Sequence, residues 1–221
     1  MILKPRTVAV LGKDAEKGVL AAGDSDMVEL RLDLIAKDPI EAIRAVRKAT
    51  TKPIIATNRL MAEGGKFEGN ERERCELLIQ ASIYADYVDI ELRAELRNEF
   101  VRNVNKPVII SYHDFQGTPD LMEMRSILKD MKNAGASIAK IAVTPSKMKD
   151  NLQILEFLLE ADMPLCIIAM GKLGRHLRAV APLYGSVLAY GYVFEATAPG
   201  QMSVKELIEA MRLLDPGVTI I

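Results

Sequence analysis

The sequence predicts an α/β protein whose fold is a short version of the (β/α)8 TIM barrel, with eight parallel strands. Three observations lead to this prediction: eight short apolar runs rich in β-branched residues, helical patterns with capping signals between them, and ionisable side chains at alternate positions of several runs. The chain has 221 residues, 49% of them hydrophobic, which is enough to bury a large core. We therefore expect residues 1–221 to form a single barrel domain.

The predicted strands alternate with helical segments along the whole chain. They lie at residues 7–12, 27–33, 53–59, 87–92, 107–114, 137–143, 164–170 and 186–193. Such alternation predicts a parallel sheet covered by helices, and eight strands favour closure into a barrel. An open doubly wound sheet is the alternative. Residues 12–18 lack the glycine spacing of dinucleotide- and phosphate-binding loops, which argues against nucleotide binding.

Capping signals place several of the helices between these strands. Thr118 is expected to cap a helix that opens with Pro119 and ends before residue 135. Ser203 with Glu206 predicts a capping box at the last helix, and Asn70 with Glu73 predicts another. We expect the charged run 71–74 (ERER) that follows Asn70 to be a solvated first turn.

Composition excludes several classes of function. A net charge of −1 provides no positive surface for nucleic acid or an anionic membrane. The longest apolar run, near residues 165–170, is far too short to cross a bilayer. Cys75 and Cys166 are far apart and the chain has only 2 histidines, so we expect buried thiols, no metal site and a cytoplasmic protein.

The side chains within the predicted strands separate into two faces. In the second run, Glu29, Arg31 and Asp33 alternate with apolar residues, and the fourth run repeats this pattern with Asp89 and Glu91. Other ionisable residues share the inward parity of their strands: Arg59, His113 and Lys140. So many inward charges are difficult to explain by packing, and they predict a solvated, polar active site at the carboxyl ends of the strands.

Lys140 is the most unusual of these residues because it lies within the apolar run 137–143 (SIAKIAV). An ammonium in a buried strand loses hydration unless nearby groups compensate for it. Burial of this kind usually depresses the pKa of a lysine and leaves a nucleophilic amine. The position therefore predicts a lysine that forms a Schiff base. The alternative is an edge-strand lysine whose amine reaches solvent.

His113 is the natural partner of such a lysine, since an imidazole can accept and donate a proton near neutral pH. Asp89 is expected to orient it. A lysine imine acidifies the adjacent C–H bond, and a histidine can remove that proton and then protonate a leaving group. This combination predicts β-elimination, or aldol cleavage if a C–C bond breaks instead. A barrel that only binds an anionic metabolite is the non-catalytic alternative.

The remaining polar residues predict how a substrate is held. Arg59 and Arg178 are candidate clamps for a carboxylate or phosphate, and Glu29 and Glu63 can accept hydrogen bonds from substrate hydroxyls. Two loops that contain glycine, residues 60–70 and 196–201, follow strands whose ends carry these groups. They are expected to close over the mouth of the barrel.

A set of motifs in a fixed order resembles the type I 3-dehydroquinate dehydratases of the shikimate pathway. The motifs are residues 28–33 (VELRLD), 57–65 (TNRLMAEGG), 88–92 (VDIEL), 111–115 (SYHDF), 139–142 (AKIA), 170–174 (MGKLG) with Arg178, and 198–201 (APGQ). They cover nearly the whole chain, and their ordered combination is far more specific than any one of them.

The resemblance implies a barrel that dehydrates 3-dehydroquinate to 3-dehydroshikimate without a cofactor or a metal, in a cytoplasmic homodimer. The catalytic set would be Lys140, which forms the imine, His113, which moves the proton, Asp89, which partners His113, and Glu63. The substrate-binding set would be Glu29, Arg31 and Arg59 near the ring hydroxyls, Arg178, Thr197 and Gln201 around the carboxylate, and Met170, Phe115 and Tyr190 as apolar walls.

The chain departs from the family pattern at three positions. Thr197 and Tyr190 stand where a serine and a phenylalanine are expected. Leu177, which precedes Arg178, stands where a serine is expected. None of these changes affects Lys140 or His113.

Overall fold

A computed structural model of the protein describes residues 4–215. Its sheet contains eight strands, each parallel to its neighbours, in the order β7-β6-β5-β4-β3-β2-β1-β8. The strands are β1 (Arg6–Leu11), β2 (Met27–Arg31), β3 (Ile54–Thr57), β4 (Tyr87–Glu91), β5 (Val108–Asp114), β6 (Ile138–Val143), β7 (Leu165–Ala169) and β8 (Leu188–Tyr192).

The sheet closes on itself. β8 pairs with β1, and at the remaining seam the backbone N–H of Val187 donates to the carbonyl of Leu165 over 2.9 Å. The N–H of Ile167 donates to the hydroxyl of Ser186 at the same seam. The predicted (β/α)8 barrel is therefore confirmed, and the open sheet is excluded.

Helices cover the outer face of the barrel. They are α1 (Ala15–Ala21), α2 (Pro39–Ala49), α3 (Glu71–Ser82), α4 (Arg97–Asn103), α5 (Leu121–Asn133), α6 (Met148–Leu159), α7 (Gly171–Gly174), α8 (Leu177–Val180) and α9 (Val204–Leu214). In the described part of the chain, no helix is long and apolar enough to cross a membrane.

Strand alternation produces two apolar layers, as the sequence predicts. Val28, Leu30 and Val88 point outward into the large core beneath the helices. Ile109 and Ile138 belong to a smaller cluster inside the barrel. That inner cluster forms the floor below the ionisable side chains, which are carried nearer the carboxyl ends of the strands.

The capping boxes predicted for α3 and α9 are confirmed, since Asn70 and Ser203 each exchange hydrogen bonds with the glutamate three residues later. The predicted cap of α5 is wrong. Asp120 caps this helix by accepting the Glu123 backbone N–H at 2.8 Å, because an aspartate here aligns its carboxylate with the first free N–H groups. The hydroxyl of Thr118 is buried and finds no hydrogen-bond partner within residues 4–215.

The expectation of a solvated first turn at residues 71–74 is also wrong for its last residue. Arg74 is only 2% exposed and points toward the barrel. It forms ion pairs with Glu71 and Glu91. A buried guanidinium is tolerated because these two carboxylates compensate for its charge.

Candidate active site

A cavity opens at the carboxyl ends of the barrel strands. Its lining includes most of the ionisable residues that the sequence singled out. They are Glu29, Arg31, Arg59, Glu63, His113, Lys140 and Arg178, together with Phe115, Tyr190, Thr197 and Gln201. Side chains from six strands and the loops that follow them thus meet in one cavity, which is the arrangement that barrel enzymes use for catalysis.

Lys140 projects from β6 into this cavity and is 3% exposed. Its Nζ lies 3.0 Å from Oδ2 of Asp89 and 3.4 Å from Oε1 of Glu29. The ring of Tyr190 lies beneath the nitrogen, with 4.2 Å from Nζ to the ring centroid. The alternative of an edge-strand lysine that reaches solvent is excluded, and two carboxylates supply the compensation that a buried amine requires.

Two carboxylates below the cavity hold Arg59 in place. Nη2 of Arg59 lies 2.9 Å from Asp89, and Nη1 lies 2.7 Å from Glu91. Burial favours loss of the Arg59 proton, but Asp89 and Glu91 outweigh it and raise the pKa of the guanidinium. Burial likewise opposes the charge of Asp89, yet Arg59 and Lys140 hold the pKa of that carboxyl well below its usual range.

The predicted solvation of the charged set is therefore wrong for its deepest members. Asp89 and Glu91 are fully buried and do not line the cavity. They are stable there because each is paired with arginine or lysine.

His113 is oriented by Glu63, and the prediction that Asp89 partners it is wrong. Nδ1 of His113 lies 2.8 Å from Oε2 of Glu63, and the backbone N–H of His113 donates to the same oxygen at 2.9 Å. Both carboxylate oxygens of Asp89 are instead occupied by Arg59, Ser111 and Lys140. Because Oε2 already accepts a backbone N–H, we assign the Nδ1 proton to the imidazole, which leaves Nε2 as the basic nitrogen.

The charges around this pair favour a neutral imidazole. Burial, followed by the positive charges of Arg59 and Lys140, lowers the pKa of His113 well below 6.5. Burial raises the pKa of Glu63 to about 7, against the opposing effect of Arg59. Oε1 of Glu63 is buried and has no hydrogen-bond partner among the described residues, so it can accept a hydrogen bond from a bound molecule.

A tight turn after β3 brings Arg59 and Glu63 to the cavity. A short 3-10 helix, Met61–Glu63, ends at Gly64, whose φ of 84° is in the left-handed region. A Cβ on Gly65 would lie 1.8 Å from the carbonyl oxygen of Arg59, so only glycine fits there. The shape of the turn itself therefore requires glycine at positions 64 and 65, whether or not the loop moves. Closure of loops 60–70 and 196–201 over the barrel mouth stays a prediction.

A guanidinium without a carboxylate partner lies at another part of the cavity wall. Arg178 is 5% exposed and donates from Nη2 to the carbonyl of Pro199 at 3.0 Å. Its Nε is buried without a partner, and in residues 4–215 no carboxylate forms an ion pair with it. Burial lowers the pKa of Arg178 to about 10, which leaves it charged at neutral pH. Beside it, the carboxamide oxygen of Gln201 accepts the backbone N–H and hydroxyl of Thr197.

The other predicted binding residues take different positions. Arg31 lines the cavity in a bidentate pair with Asp33, at 2.7 and 2.6 Å, so its charge is already balanced. Phe115 lies at the mouth, with its ring centroid 6.5 Å from that of His113. Met170, which follows β7, is buried but does not line the cavity, contrary to the prediction; Ile168 on β7 lines it instead.

Residues 7–217 match the family model described as type I 3-dehydroquinase. The chain belongs to this family. Membership confirms the family and the class of enzyme that the ordered motifs predict.

Similar proteins agree in sequence and in structure. A protein from Methanothrix thermoacetophila named 3-dehydroquinate dehydratase is 53% identical over 215 residues, which cover 96% of this chain and 93% of that protein. The crystal structure of 3-dehydroquinate dehydratase from Geobacillus kaustophilus superposes with a TM-score of 0.87 at 26% identity, covering 95% and 91% of the two chains.

A third similar protein of the type I 3-dehydroquinase family is the enzyme from Clostridium difficile, solved with covalently modified comenic acid. It superposes with a TM-score of 0.86 at 29% identity, covering 98% of this chain and 94% of that one.

In this member of the type I 3-dehydroquinase family, sequence reasoning missed the role of Glu63 as the partner of His113 and the burial of Arg74. The partnership of Glu63 with His113 depends on a turn whose path strand parity does not describe. Arg74 was assigned to a solvent-facing turn because its neighbours in sequence are charged. Its spacing of four and seven residues from Leu78 and Ala81, which lie on the buried face of α3, was the available signal.

Proposed function

We propose that this chain dehydrates 3-dehydroquinate to 3-dehydroshikimate in the shikimate pathway, through an imine on Lys140. The observation that carries the proposal is the convergence, in one cavity, of a buried primary amine, an imidazole held in one tautomer and an arginine to which no carboxylate of residues 4–215 is paired. These are the nucleophile, the proton carrier and the anion site that the reaction needs.

The first step joins Lys140 to the substrate. Neutral His113 takes the proton from Nζ, and the free amine then attacks the C3 carbonyl carbon to form a carbinolamine. His113 returns the proton to the carbinolamine hydroxyl, which leaves as water and gives a protonated imine. Asp89 and Glu29 hold Nζ in position, and they balance the positive charge that appears on the imine nitrogen.

The second step eliminates the C1 hydroxyl. The protonated imine withdraws electrons, so Nε2 of neutral His113 can remove a proton from C2 and form an enamine. The electron pair of the enamine then expels the C1 hydroxyl, which leaves as water when His113 returns the proton. Glu63 stabilises the imidazolium formed between these two transfers. Hydrolysis of the product imine frees Lys140, so the net change is the loss of one water.

Arg178 is the group best suited to bind the substrate carboxylate. Its charge is not balanced within the described protein, and Thr197 and Gln201 provide polar groups beside it. A carboxylate would supply the charge that the buried guanidinium lacks. Glu29 and Oε1 of Glu63 are placed to accept hydrogen bonds from ring hydroxyls.

Product formation tests the proposed reaction directly. The purified protein mixed with 3-dehydroquinate should generate the ultraviolet absorbance of the conjugated enone, and Lys140→Ala should abolish it. The absence of turnover by the wild-type protein would contradict the proposal. A Schiff-base aldolase would instead release two carbonyl fragments, and a binding protein would raise its melting temperature with ligand but form no product.

We also propose that the protein is a cytoplasmic homodimer with one catalytic domain, and that α6 forms the contact. Met148, Leu152 and Leu159 on this helix are exposed, and Leu155 is half-buried. Their spacing of four, three and four residues is that of a coiled-coil seam. In an antiparallel pair related by a twofold axis, Lys149 of each copy would face Glu156 of the other.

The mass in solution tests this contact. Light scattering should give the mass of a dimer for the wild-type protein and of a monomer for Leu152→Glu. Leu20→Glu, on the exposed face of α1, is the matched control and should stay dimeric. A dimeric Leu152→Glu protein would place the interface elsewhere.

A further inference from the structure

A buried arginine outside the cavity ends a chain of ion pairs that reaches Lys140. Arg74 lies on α3, is 2% exposed and does not line the cavity. Its Nε and Nη2 donate to Glu71 at 2.7 and 2.9 Å, and its Nη1 lies 2.9 Å from Oε2 of Glu91. In residues 4–215, the guanidinium paired with Oε2 of Glu91 is that of Arg74. Arg59 and the backbone N–H of Leu60 donate to the other carboxylate oxygen, Oε1.

From Glu91 the chain continues inward with alternating sign. Oε1 of Glu91 lies 2.7 Å from Arg59, whose other terminal nitrogen lies 2.9 Å from Asp89. Asp89 in turn lies 3.0 Å from Nζ of Lys140. Each of these residues is at most 3% exposed, so water screens their interactions only weakly.

Arg74 reaches Arg59 by a second route through the backbone. Its Nη1 donates to the carbonyl of Asn58, and the Asn58 side chain donates back to the carbonyl of Arg74 at 3.2 Å. Asn58 directly precedes Arg59. Arg74 therefore holds both the carboxylate that binds the Arg59 side chain and the backbone from which that side chain projects.

We propose that Arg74 is a positioning residue that sets the pH range in which His113 can act as a base, by balancing the charge of Glu91 and fixing Arg59. Without Arg74, Arg59 would be the one cation of residues 4–215 left to balance the negative charge of Glu91. The potential at the cavity would become more negative, which favours the protonated form of the imidazole.

The charged groups around His113 come from four strands and the loops that follow them. They are Arg31 from the end of β2, Arg59 and Glu63 from the end of β3, Asp89 from β4 and Lys140 from β6. Arg59 and Asp89 belong to the chain that Arg74 ends. A change at Arg74 thus acts on His113 through partners on two strands, and not through contact with the substrate.

Titration of His113 in the ligand-free protein tests the proposal without any assumption about the reaction. The variants are Arg74→Gln, which removes the charge, and Arg74→Lys, which keeps it. Arg72→Gln is the matched control, because Arg72 lies on the same turn but pairs on the surface with Glu99. His176, outside the site, provides an internal reference in the same NMR spectra.

We expect Arg74→Gln to raise the pKa of His113 by about half a unit or more, a shift typical of one charge removed from a buried network. Arg74→Lys and Arg72→Gln should keep the wild-type value, and His176 should not change. A folded Arg74→Gln protein whose His113 titrates as in the wild type would overturn the proposal. An equal shift in Arg72→Gln would do so too, since it would reveal a general effect of net charge.

Turnover gives the second readout and rests on the proposed function. The acid limb of kcat/KM should move to higher pH in Arg74→Gln. Arg74→Lys should keep the limb but lower kcat about fivefold with little change in KM, because one ammonium cannot reproduce the fork to Glu71 together with the bond to the Asn58 carbonyl and the ion pair to Glu91. If Arg74→Gln does not fold, a wild-type kcat in Arg74→Lys overturns the proposal. If the wild-type protein has no turnover, the proposed function fails, and the titration alone decides the role of Arg74.

Discussion

One carboxylate oxygen of Glu63 accepts two hydrogen bonds from His113, and together they hold this residue more firmly than a single contact could. Oε2 receives both the ring N–H and the backbone N–H of His113. The ring can rotate only by breaking the first bond, and the residue can shift only by breaking the second. Nε2 is therefore held toward the cavity before a substrate enters, which is the preorganisation that proton transfer requires.

Glu63→Gln should separate orientation from charge. The glutamine oxygen can still accept both N–H groups, but it cannot stabilise an imidazolium by charge. We expect kcat to fall about tenfold to a hundredfold while KM changes only a few-fold. Steady-state kinetics would measure both constants. A kcat within twofold of the wild type would show that the charge of Glu63 contributes nothing to the reaction.

Tyr190 contributes a hydroxyl that the ligand-free protein does not use. The hydroxyl oxygen is buried and has no hydrogen-bond partner in the part of the chain that the structure describes. Burial raises the pKa of Tyr190 well above 10, so the group stays protonated. An unsatisfied buried hydroxyl costs about 1 kcal/mol or more of stability. The ring, by contrast, contacts the Lys140 amine directly.

Tyr190→Phe should therefore stabilise the ligand-free protein. The ring and its contact with Lys140 are kept, and only the unpaired oxygen is removed. We expect a melting temperature about 2–4 °C higher, the shift typical of about 1 kcal/mol in a chain of this size. Differential scanning calorimetry would measure it, with Tyr184→Phe at an exposed position as the control. A lower melting temperature would reveal a partner for the hydroxyl.

The turn after β3 is the element on which the site depends most. Within a few residues it delivers Arg59 to the ion-pair network and Glu63 to His113. The turn is compact because the Gly65 N–H donates to the Leu60 carbonyl at 3.0 Å, which brings residue 65 against the carbonyl of Arg59. No side chain larger than hydrogen fits there.

Gly65→Ala should disrupt this turn and, with it, the site. The new Cβ must push the backbone of Arg59 away. This displacement disturbs the ion pairs of Arg59 and the hydrogen bonds of Glu63. We expect kcat/KM to fall at least about a hundredfold, because shifts of about 1 Å in catalytic groups have effects of this size. Gly117→Ala is the matched control, since a Cβ there meets no atom within 4 Å. Near-normal activity of Gly65→Ala would contradict the importance of the turn.

Strand parity predicted the elements well and the turns poorly. The period of two along β2, β4, β5 and β6 was enough to place Glu29, Asp89, His113 and Lys140 inside the barrel. Parity says nothing about which side chains meet across the lumen, because that depends on strand register and on loop paths. Hence the partner of His113 was assigned to a strand residue, Asp89, although a turn residue provides it.

At the scale of the whole molecule, the barrel excludes water from a set of opposite charges. The buried charged residues are Glu29, Arg31, Asp33, Arg59, Glu63, Arg74, Asp89, Glu91, Lys140, Asp150 and Arg178. Most of them are paired, so the helices around the sheet can cover them without leaving isolated charges. Burial raises the pKa of Glu63 and lowers the pKa of Arg178, so in these two residues it favours the neutral form.

The raised pKa of Glu63 predicts a dependence of stability on pH. Its pKa is about 7 in the folded protein and about 4.3 in an unfolded chain, so the carboxyl stabilises the fold fully below about pH 4.3. This contribution is lost as the pH rises through about 7. Glu63→Gln, which stays neutral, does not lose it.

The difference in unfolding free energy between Glu63→Gln and the wild type should therefore grow in favour of the variant from pH 4.5 to 8, by on the order of 1–3 kcal/mol. Urea denaturation at several pH values would measure it, and the other titrating groups largely cancel in the difference. A difference that stays constant with pH would show that Glu63 ionises normally in the folded protein.

The most direct test of the account is to trap the bond between Lys140 and the substrate. Borohydride added during turnover of 3-dehydroquinate reduces an imine to a stable secondary amine, which peptide mass spectrometry can locate. We predict one modified site, Lys140, and no modification of Lys140→Ala under the same conditions. An unmodified wild-type protein that still forms product, or a substrate adduct on another lysine such as Lys66, would contradict the proposed mechanism.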